Sequence, residues 1–338
     1  MNGKSTFVCR QFYHLLLVLQ IGFCLFVSCS RQIGYGRSLT ITEVLEFNLE
    51  QASLGAISDV TVDTLGRIIL CDKRMSNAYA LDKNGAILSR IGIREKMFGD
   101  LQRPSTVTVD RDNHIYIGGR FEVTVFAPNF QKTRHFETHI ERPSTILVTD
   151  DKRVYVVGYS PGGLIHKYNL SGKHQGSFGN IYHSDNLLIR RYYSGGYAIF
   201  YQDNIIVSYR SEYRIEKYSL DGKLIDDLVL PAASFVPQYL ETERGASFKK
   251  TSYGHRIFML NNELLNIYFH VFQNQFLMDR INPQDFSIIE RNIHIPEYLL
   301  TVEQDGTVYY VAGMRSESRL RKGNLKDDIQ NRGVKDAL

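Results

Sequence analysis

The chain contains no tryptophan, only four cysteines and no long block of basic residues. Lysines and arginines are spread singly among the acidic residues, and the formal net charge is +4. This pattern lacks the dense positive charge that follows a phosphate backbone, so it argues against a nucleic-acid partner. With 43% hydrophobic and 22% charged residues over 338 positions, the composition is that of an ordinary globular protein with a sizeable core.

The missing tryptophan is offset by 21 tyrosines and 19 phenylalanines. Together with frequent β-branched residues, this composition favours strands over helices. No long amphipathic helical pattern follows the first thirty residues, so we expect an all-β fold. Asp-box motifs, which carry a tryptophan, are absent, and this excludes repeats of the sialidase type.

The first 28 residues have the charged, apolar and small-residue regions of a secretory signal peptide. The apolar run at residues 15–27 is too short for a transmembrane span. It ends in FVSC at residues 26–29, which resembles the bacterial lipobox, although that motif usually has leucine where Phe26 stands. The resemblance implies that Cys29 carries a lipid and begins the mature chain. The alternative is that Cys29 is an ordinary residue near a cleavage site.

Cysteine usage then excludes a disulfide within the mature chain. Cys9 and Cys24 leave with the signal peptide, and a lipid on Cys29 makes Cys71 the only free thiol. Cys71 lies within an apolar strand pattern at residues 67–72 and has no histidine close in sequence. We expect it to be a small core residue rather than a nucleophile.

An internal repeat organises the rest of the chain. The sequence RPSTVTVD at residues 103–110 nearly recurs as RPSTILVTD at residues 142–150. Each copy is followed by a polar turn, an apolar strand, a loop and a further strand, which is typical of a meander. Further units with this pattern are Asp59–Leu88, Tyr197–Ile225, Arg256–Ile289 and Tyr298–Lys326, which makes six in total.

Four-stranded units with a period of roughly 40–50 residues predict a β-propeller, here with six antiparallel blades. The sixth unit lacks a fourth strand, because the chain turns polar after Lys322. The strand pattern at Glu43–Leu49 is available to fill that place, so we expect an N-terminal strand to close the ring and remove two exposed edges. The predicted organisation is a signal peptide at 1–28, a tether at 29–39, the propeller at 40–326 and a polar tail at 327–338.

The segment at residues 91–117 looks like the NHL repeat: a glycine-punctuated linker, a proline opening the innermost strand, an apolar strand ending in aspartate, a polar turn and another apolar strand. Arg214-Ile215 with the LDG turn at 220–222 looks like the third strand and turn of that repeat. With the lipobox, residues 40–326 resemble the six-bladed NHL/TolB-like propeller lipoproteins of Bacteroidota. The resemblance implies a lipid-anchored protein of the cell envelope, and its motifs specify fold rather than activity. The tether lacks the acidic cluster associated with surface export in that group, which favours the periplasmic side of the outer membrane and leaves surface display open.

Two motifs suggest chemistry but are better explained structurally. Residues 158–162 spell G-x-S-x-G, but a nucleophile elbow needs a strand-to-helix turn and this copy joins two strands. His135 and His139 have the spacing of helical metal ligands, yet they fall in a strand and its exit loop with no third ligand nearby. We therefore predict no catalytic residue, no metal and no cofactor.

In a propeller, the loop that enters each blade and the loop between its second and third strands emerge on one face. This rule predicts that arginine and tyrosine lie on that face, called here the Arg/Tyr face, and that acidic residues lie on the opposite face. Arginine and tyrosine are enriched at recognition surfaces. The predicted ligand-binding residues are Arg74, Arg103, Arg120, Arg142, Tyr159, Arg210, Tyr213 and Arg315. The opposite face receives Asp63, Asp110, Asp112, Asp150, Asp151, Asp203, Glu303 and Asp305.

A structural explanation of the same charges stays open: the aspartates form turns and the arginines are solvated, with Glu122, Glu212 and Glu317 as neutralising neighbours. The insertion Pro231–Gly254 is longer than a connection between blades needs, and we expect either a lid on the Arg/Tyr face or a disordered excursion. Phe235, Tyr239 and Phe248 would give it apolar side chains to pack.

The function that follows is non-catalytic binding of a protein or glycan partner in the cell envelope, with an anionic or carboxylate-bearing ligand on the Arg/Tyr face. The alternative is a hydrolase or lyase centred on the channel of the propeller, with or without a metal. Convergence of Asp59 and Glu297 in that channel would favour the enzyme.

Overall fold

The computed structural model describes residues 38–47, 56–92, 101–231, 235, 239–242, 245–248, 251–312 and 319–326. The predictions for the signal peptide, Cys29, Arg315 and the C-terminal tail lie outside these residues. Within them, no helix has both the length and the apolar character needed to cross a membrane.

Six four-stranded antiparallel sheets form the blades of a β-propeller, as the repeat predicts. After β1 (Thr40–Glu46), the first blade contains β2 (Ile57–Val62), β3 (Ile68–Asp72), β4 (Asn77–Leu81) and β5 (Ile87–Ile91). The second contains β6 (Thr106–Val109), β7 (Ile115–Gly119), β8 (Glu122–Phe126) and β9 (Lys132–Glu137). The third contains β10 (Thr145–Val148), β11 (Val154–Ser160), β12 (Gly163–Tyr168) and β13 (His174–Phe178).

The short helix α1 (Leu187–Tyr193) separates the third blade from the fourth. The fourth blade contains β14 (Gly196–Tyr201), β15 (Asn204–Tyr209), β16 (Arg214–Ser219) and β17 (Leu224–Val229), and the hairpin of β18 (Tyr239–Thr242) and β19 (Gly245–Phe248) follows it. The fifth contains β20 (Tyr253–Leu260), β21 (Glu263–His270), β22 (Gln275–Ile281) and β23 (Ile288–Ile295). The sixth contains β24 (Tyr298–Val302), β25 (Thr307–Ala312) and β26 (Arg319–Lys326).

The N-terminal strand closes the ring, as predicted. β1 pairs antiparallel with β26, so the sixth sheet has the order β1-β26-β25-β24. The strand runs over Thr40–Glu46, three residues earlier at each end than the pattern suggested. Phe47 follows the strand: its amide still donates to the Leu320 carbonyl of β26 at 3.0 Å, and its side chain lies in the core, 4% exposed and stacked on Tyr309 with ring centroids 6.3 Å apart.

The repeated RPST sequence joins neighbouring blades, because its serine and proline hydrogen-bond across the boundary. Ser58 Oγ in the first blade donates to the Pro104 carbonyl at 2.8 Å, and Ser105 Oγ donates to the Pro143 carbonyl at 2.6 Å. Ser144 Oγ donates in turn to Gly196 of the fourth blade. Both prolines stand two residues before an innermost strand, where no ladder donor is needed, as expected.

The apolar residues of the central strands fill clusters between adjacent blades. Cys71 is fully buried in one cluster, and burial raises the pKa of its thiol well above the usual value. This confirms the core role predicted for Cys71. The G-x-S-x-G sequence joins β11 to β12, and its serine, Ser160, is buried with Oγ accepting from the Gly162 amide at 3.4 Å. The strand-to-strand context predicted for that motif is therefore present.

Candidate functional site

A cavity of about 450 Å³ opens on the Arg/Tyr face between the third and fourth blades. It is referred to here as the cationic cavity. Its ionisable side chains are Glu141, Arg142, Arg191 and Arg210, and its aromatic side chains are Tyr159, Tyr192 and Tyr197. Three guanidinium groups against one carboxylate leave the lining with net positive charge.

Four elements position these side chains. Arg142 precedes Pro143 at the entrance of the third blade, and Tyr159 lies near the end of β11 rather than in the loop where the sequence suggested it. Arg210 follows β15 directly; its amide donates to the Gly195 carbonyl at 2.8 Å. The blade geometry thus brings three predicted residues, Arg142, Tyr159 and Arg210, to one cavity.

Helix α1 forms one wall of the cationic cavity, and the sequence did not predict this helix. Asn186 caps it by accepting from the amides of Leu188 (3.0 Å) and Ile189 (3.3 Å). The helix presents Arg191 and Tyr192 to the cavity. Seven residues are too few to show helical periodicity, and the only signal was the Arg-Arg-Tyr-Tyr sequence at 190–193, which has the composition of the face itself.

One carboxylate neutralises part of the cavity. Glu141 pairs with Arg120 at 3.2 Å and with Arg191. Arg120 does not line the cavity but is neutralised by this carboxylate, and its guanidinium lies 5.3 Å from the ring centroid of Phe121. The neutralising partner is Glu141 rather than Glu122, which instead accepts from the Gln102 amide at 3.0 Å.

Arg142 and Arg210 have no neutralising partner in the part of the chain that the structure describes. Among the described residues, no carboxylate lies within 4.0 Å of either guanidinium. Arg210 lies between the rings of Tyr192 and Tyr253, 6.0 and 5.8 Å from their centroids. Tyr159 lines the same cavity, and its hydroxyl is buried without a hydrogen-bond partner in the described structure. A buried hydroxyl without a partner is costly, so Tyr159 and the two cations are the groups that a ligand would satisfy.

The other predicted residues lie elsewhere. Arg74 is exposed after β3 in the first blade, and Arg103 is exposed at the entrance of the second. Tyr213 is only 3% exposed, so it does not contribute to the surface. Its hydroxyl donates to the Asp279 carboxylate, and Phe235 of the insertion packs on its ring at 5.8 Å. The packing expected for Phe235 is thus confirmed, and Tyr213 belongs to that interior contact.

On the opposite face, Asp63 and Asp110 form turns, as the structural explanation of these charges expects. Asp63 accepts from the amides of Leu65 and Arg67, and Asp110 accepts from those of Asp112 and His114. Within the described part of the chain, Asp110, Asp112 and His114 are the only His, Cys, Asp or Glu group close enough to share a metal ion.

The ammonium of Lys152 bonds both aspartates of that group, at 2.8 Å to Asp110. Burial alone would raise the pKa of Asp110, but the bonds from Lys152 and the His114 amide hold it below its usual value. These carboxylates therefore serve the turn and its lysine.

The two acids considered for the channel, Asp59 and Glu297, lie in separate environments. Asp59 accepts from Thr106 Oγ1 and the Val107 amide, both at 2.9 Å, and pairs with Arg256 at 3.0 Å. Glu297 is half-buried, and burial raises its pKa, with Arg321 and Glu43 as the charges that act on it. The two acids have different partners.

No family model matches the chain, and no curated protein matches it. Solved structures do resemble it. A DUF4221-family protein of Bacteroides vulgatus aligns with TM-score 0.58 at 9% identity, over 86% of this chain and 99% of that one. A Bacteroides fragilis protein described as exported aligns with TM-score 0.54 at 11% identity, over 86% and 95%. Virginiamycin B lyase of Staphylococcus aureus, an inactive variant with quinupristin, aligns with TM-score 0.53 at 13% identity, over 86% and 100%. At these identities the likeness concerns the fold.

Proposed function

We propose that this protein is a non-catalytic binding propeller of the cell envelope that takes an anionic, carboxylate-bearing ligand in the cationic cavity. The observation that carries the proposal is the pair of uncompensated guanidinium groups, Arg142 and Arg210, beside the unpartnered Tyr159 hydroxyl. A guanidinium offers a planar fork of donors that matches a carboxylate, and such charge-assisted bonds are stronger than neutral ones. The volume also lies within the range of small-molecule sites.

The envelope location rests on the N-terminal sequence. A signal peptide followed by a lipobox-like FVSC supports lipidation at Cys29, and the tether at residues 29–39 supports a position on the periplasmic side of the outer membrane. Similarity to a Bacteroides protein described as exported agrees with this proposal. Ligand capture at a membrane surface is the role we assign.

The channel-centred hydrolase or lyase has less support. Asp59 is occupied by Arg256 and two hydrogen bonds, and Glu297 lies near different charges. The lyase among the similar structures shares the fold, and one fold hosts many functions.

The test measures carboxylate binding to the detergent-solubilised full-length protein by calorimetry. The probes are D-galacturonate, glutarate and benzoate, each compared with its neutral amide or alcohol. We expect at least one carboxylate to bind about tenfold more tightly than its neutral counterpart, as charge-assisted hydrogen bonding predicts. Arg142→Gln and Arg210→Gln should each remove most of this preference.

Arg111→Gln is the matched control, because Arg111 is an exposed arginine paired with Asp150 on the opposite face. It should bind like the wild type. If no carboxylate is preferred over its neutral counterpart, or if the Arg142 and Arg210 variants retain the preference, the proposal is wrong.

A further inference from the structure

The geometry points to a binding site longer than the cationic cavity: we infer that the ligand is an oligouronide, a sugar chain with several carboxylates. This inference rests on the proposed function. The ligand runs from the cationic cavity to a second group of cations, two of them at blade entrances and one in the loop after β3. This group consists of Lys73, Arg103 and Arg142 and is called here the entrance triad.

Hydrogen bonds to backbone carbonyls hold the triad on one face. Arg103 and Arg142 stand directly before Pro104 and Pro143, and the bond from Ser105 Oγ to the Pro143 carbonyl, 2.6 Å long, fixes these two blade entrances side by side. In the first blade, the Lys73 amide donates to the Ala56 carbonyl at 3.0 Å, next to the strand whose Ser58 bonds Pro104. Three consecutive blades therefore each place one cation on this face: Arg103 and Arg142 at blade entrances, and Lys73 in the loop after β3.

The triad has no internal counter-charge. Among the described residues, none of its three cations has a carboxylate within 4.0 Å, whereas Arg111, Lys152 and other cations of the opposite face are paired with aspartates. Burial lowers the pKa of Lys73, and the positive charges of Arg142 and Arg103 lower it further. Like charges held together by the fold repel one another, and an anion between them relieves that repulsion.

Arg142 belongs to both groups. It lines the cationic cavity together with Arg210 of the fourth blade, and its charge also acts on Lys73 of the first blade, as does the charge of Arg103 of the second. A single carboxylate cannot occupy positions distributed over four consecutive blades. A ligand that uses both groups must therefore be extended and carry at least two anionic groups.

The aromatic lining favours sugar over peptide. Tyr159, Tyr192 and Tyr197 line the same cavity, and flat rings with a polar edge suit the alternating apolar and hydroxyl faces of a pyranose. The unpartnered Tyr159 hydroxyl would gain a partner from a sugar hydroxyl. An acidic peptide offers carboxylates on flexible methylene chains, without rigid faces for the tyrosines.

The test compares D-galacturonate with tri-galacturonate on the full-length protein, using neutral maltotriose and tetraglutamate as further probes. We expect tri-galacturonate to bind about tenfold or more tightly than the monomer, because the second carboxylate adds charge-assisted bonds at the triad. Lys73→Gln/Arg103→Gln should reduce the trimer-to-monomer affinity ratio to about one, since it removes those added bonds. Arg210→Gln should weaken the monomer and the trimer alike, and Arg111→Gln should keep the wild-type ratio.

The outcomes separate the two proposals. If galacturonate binds and depends on Arg210 but the trimer gains nothing, or the Lys73/Arg103 variant keeps the gain, the extended site is wrong and the binding function stands. If tetraglutamate binds more tightly than tri-galacturonate, the ligand is a peptide and the oligouronide is wrong. If no carboxylate binds at all, both proposals fall.

Discussion

Asp59 joins three blades through one side chain. In the first blade it accepts two hydrogen bonds from the second blade, and its carboxylate pairs with Arg256 on the innermost strand of the fifth blade. Asp59 is 4% exposed and Arg256 is 9% exposed, so water compensates neither charge. Burial alone would lower the pKa of Arg256, but Asp59 and nearby tyrosines hold it above its usual value. The pair therefore depends on both partners being present.

Asp59→Asn should destabilise the protein by about 3–5 kcal/mol, because it keeps the shape and leaves Arg256 as an uncompensated buried charge. The free energy of unfolding in urea measures the loss. Asp203→Asn, on an exposed turn of the opposite face, is the control and should change stability by less than about 0.5 kcal/mol.

The double variant Asp59→Asn/Arg256→Met should recover most of the lost stability, since removing both charges removes the desolvation cost. An Asp59→Asn protein as stable as the wild type, or a double variant less stable than the single, would contradict this account of the pair.

Helix α1 shows how a short element can define a site. Its N-cap comes from Asn186, and its C-terminal end is closed by the Ser194 amide donating to the Arg190 carbonyl at 2.9 Å. The Arg190 guanidinium donates to the Ser184 carbonyl at 2.9 and 2.6 Å, which ties the helix to the preceding loop. Strand β19 of the insertion lies next to this helix. The helix is also held by its buried side chains Ile189 and Tyr193 and by the ion pair of Arg191 with Glu141.

Asn186→Ala should remove about 1 kcal/mol of helix capping and let α1 fray. We expect faster amide hydrogen exchange at residues 188–193 and a weaker affinity for galacturonate, with the global unfolding midpoint nearly unchanged. Asn129→Ala is the matched control, because Asn129 makes a similar turn contact, to the Gln131 amide at 3.2 Å, on the opposite face. Unchanged exchange in α1 would show that the cap does not hold the helix.

At the scale of the whole molecule, ring closure depends on the pairing of β1 with β26. The register of β1 with β26 runs from Thr40 opposite Lys326 to Glu46 opposite Arg321. Arg321 also pairs with Glu43 at 2.8 Å and with Glu46 at 2.7 Å. Without β1, the ladder edge of β26 would be open, and an open edge invites pairing with another chain.

Replacing residues 40–46 with a Gly-Ser segment of equal length should lower the melting temperature by several degrees, since a paired strand is worth a few kcal/mol and 1 kcal/mol shifts a domain of this size by roughly 2–4 °C. It should also produce dimers or aggregates, measured by size-exclusion chromatography with light scattering. The same segment at residues 329–335 is the control. A monomeric variant with an unchanged melting temperature would show that β1 is dispensable.

Particular residues show how far the sequence could predict this protein. Alternating strands, Asp- and Gly-rich turns and the repeated RPST are local patterns, so they located six blades and the closing strand to within a few residues. The same patterns predicted that Arg142, Tyr159 and Arg210 lie on one face, since strand order alone decides which loops share a face. They could not locate α1, because one short helical segment carries no period.

The sequence by itself determined the propeller, because strand alternation, turn chemistry and repeat length are properties of neighbouring residues. Only the tertiary structure decided which charges remain free. Glu141 rather than Glu122 neutralises Arg120, Tyr213 turns inward to Asp279, and α1 adds Arg191 to the cavity. The physical reason is that ion pairing and burial depend on distances between blades, which are set by packing across the ring and leave no pattern along the chain.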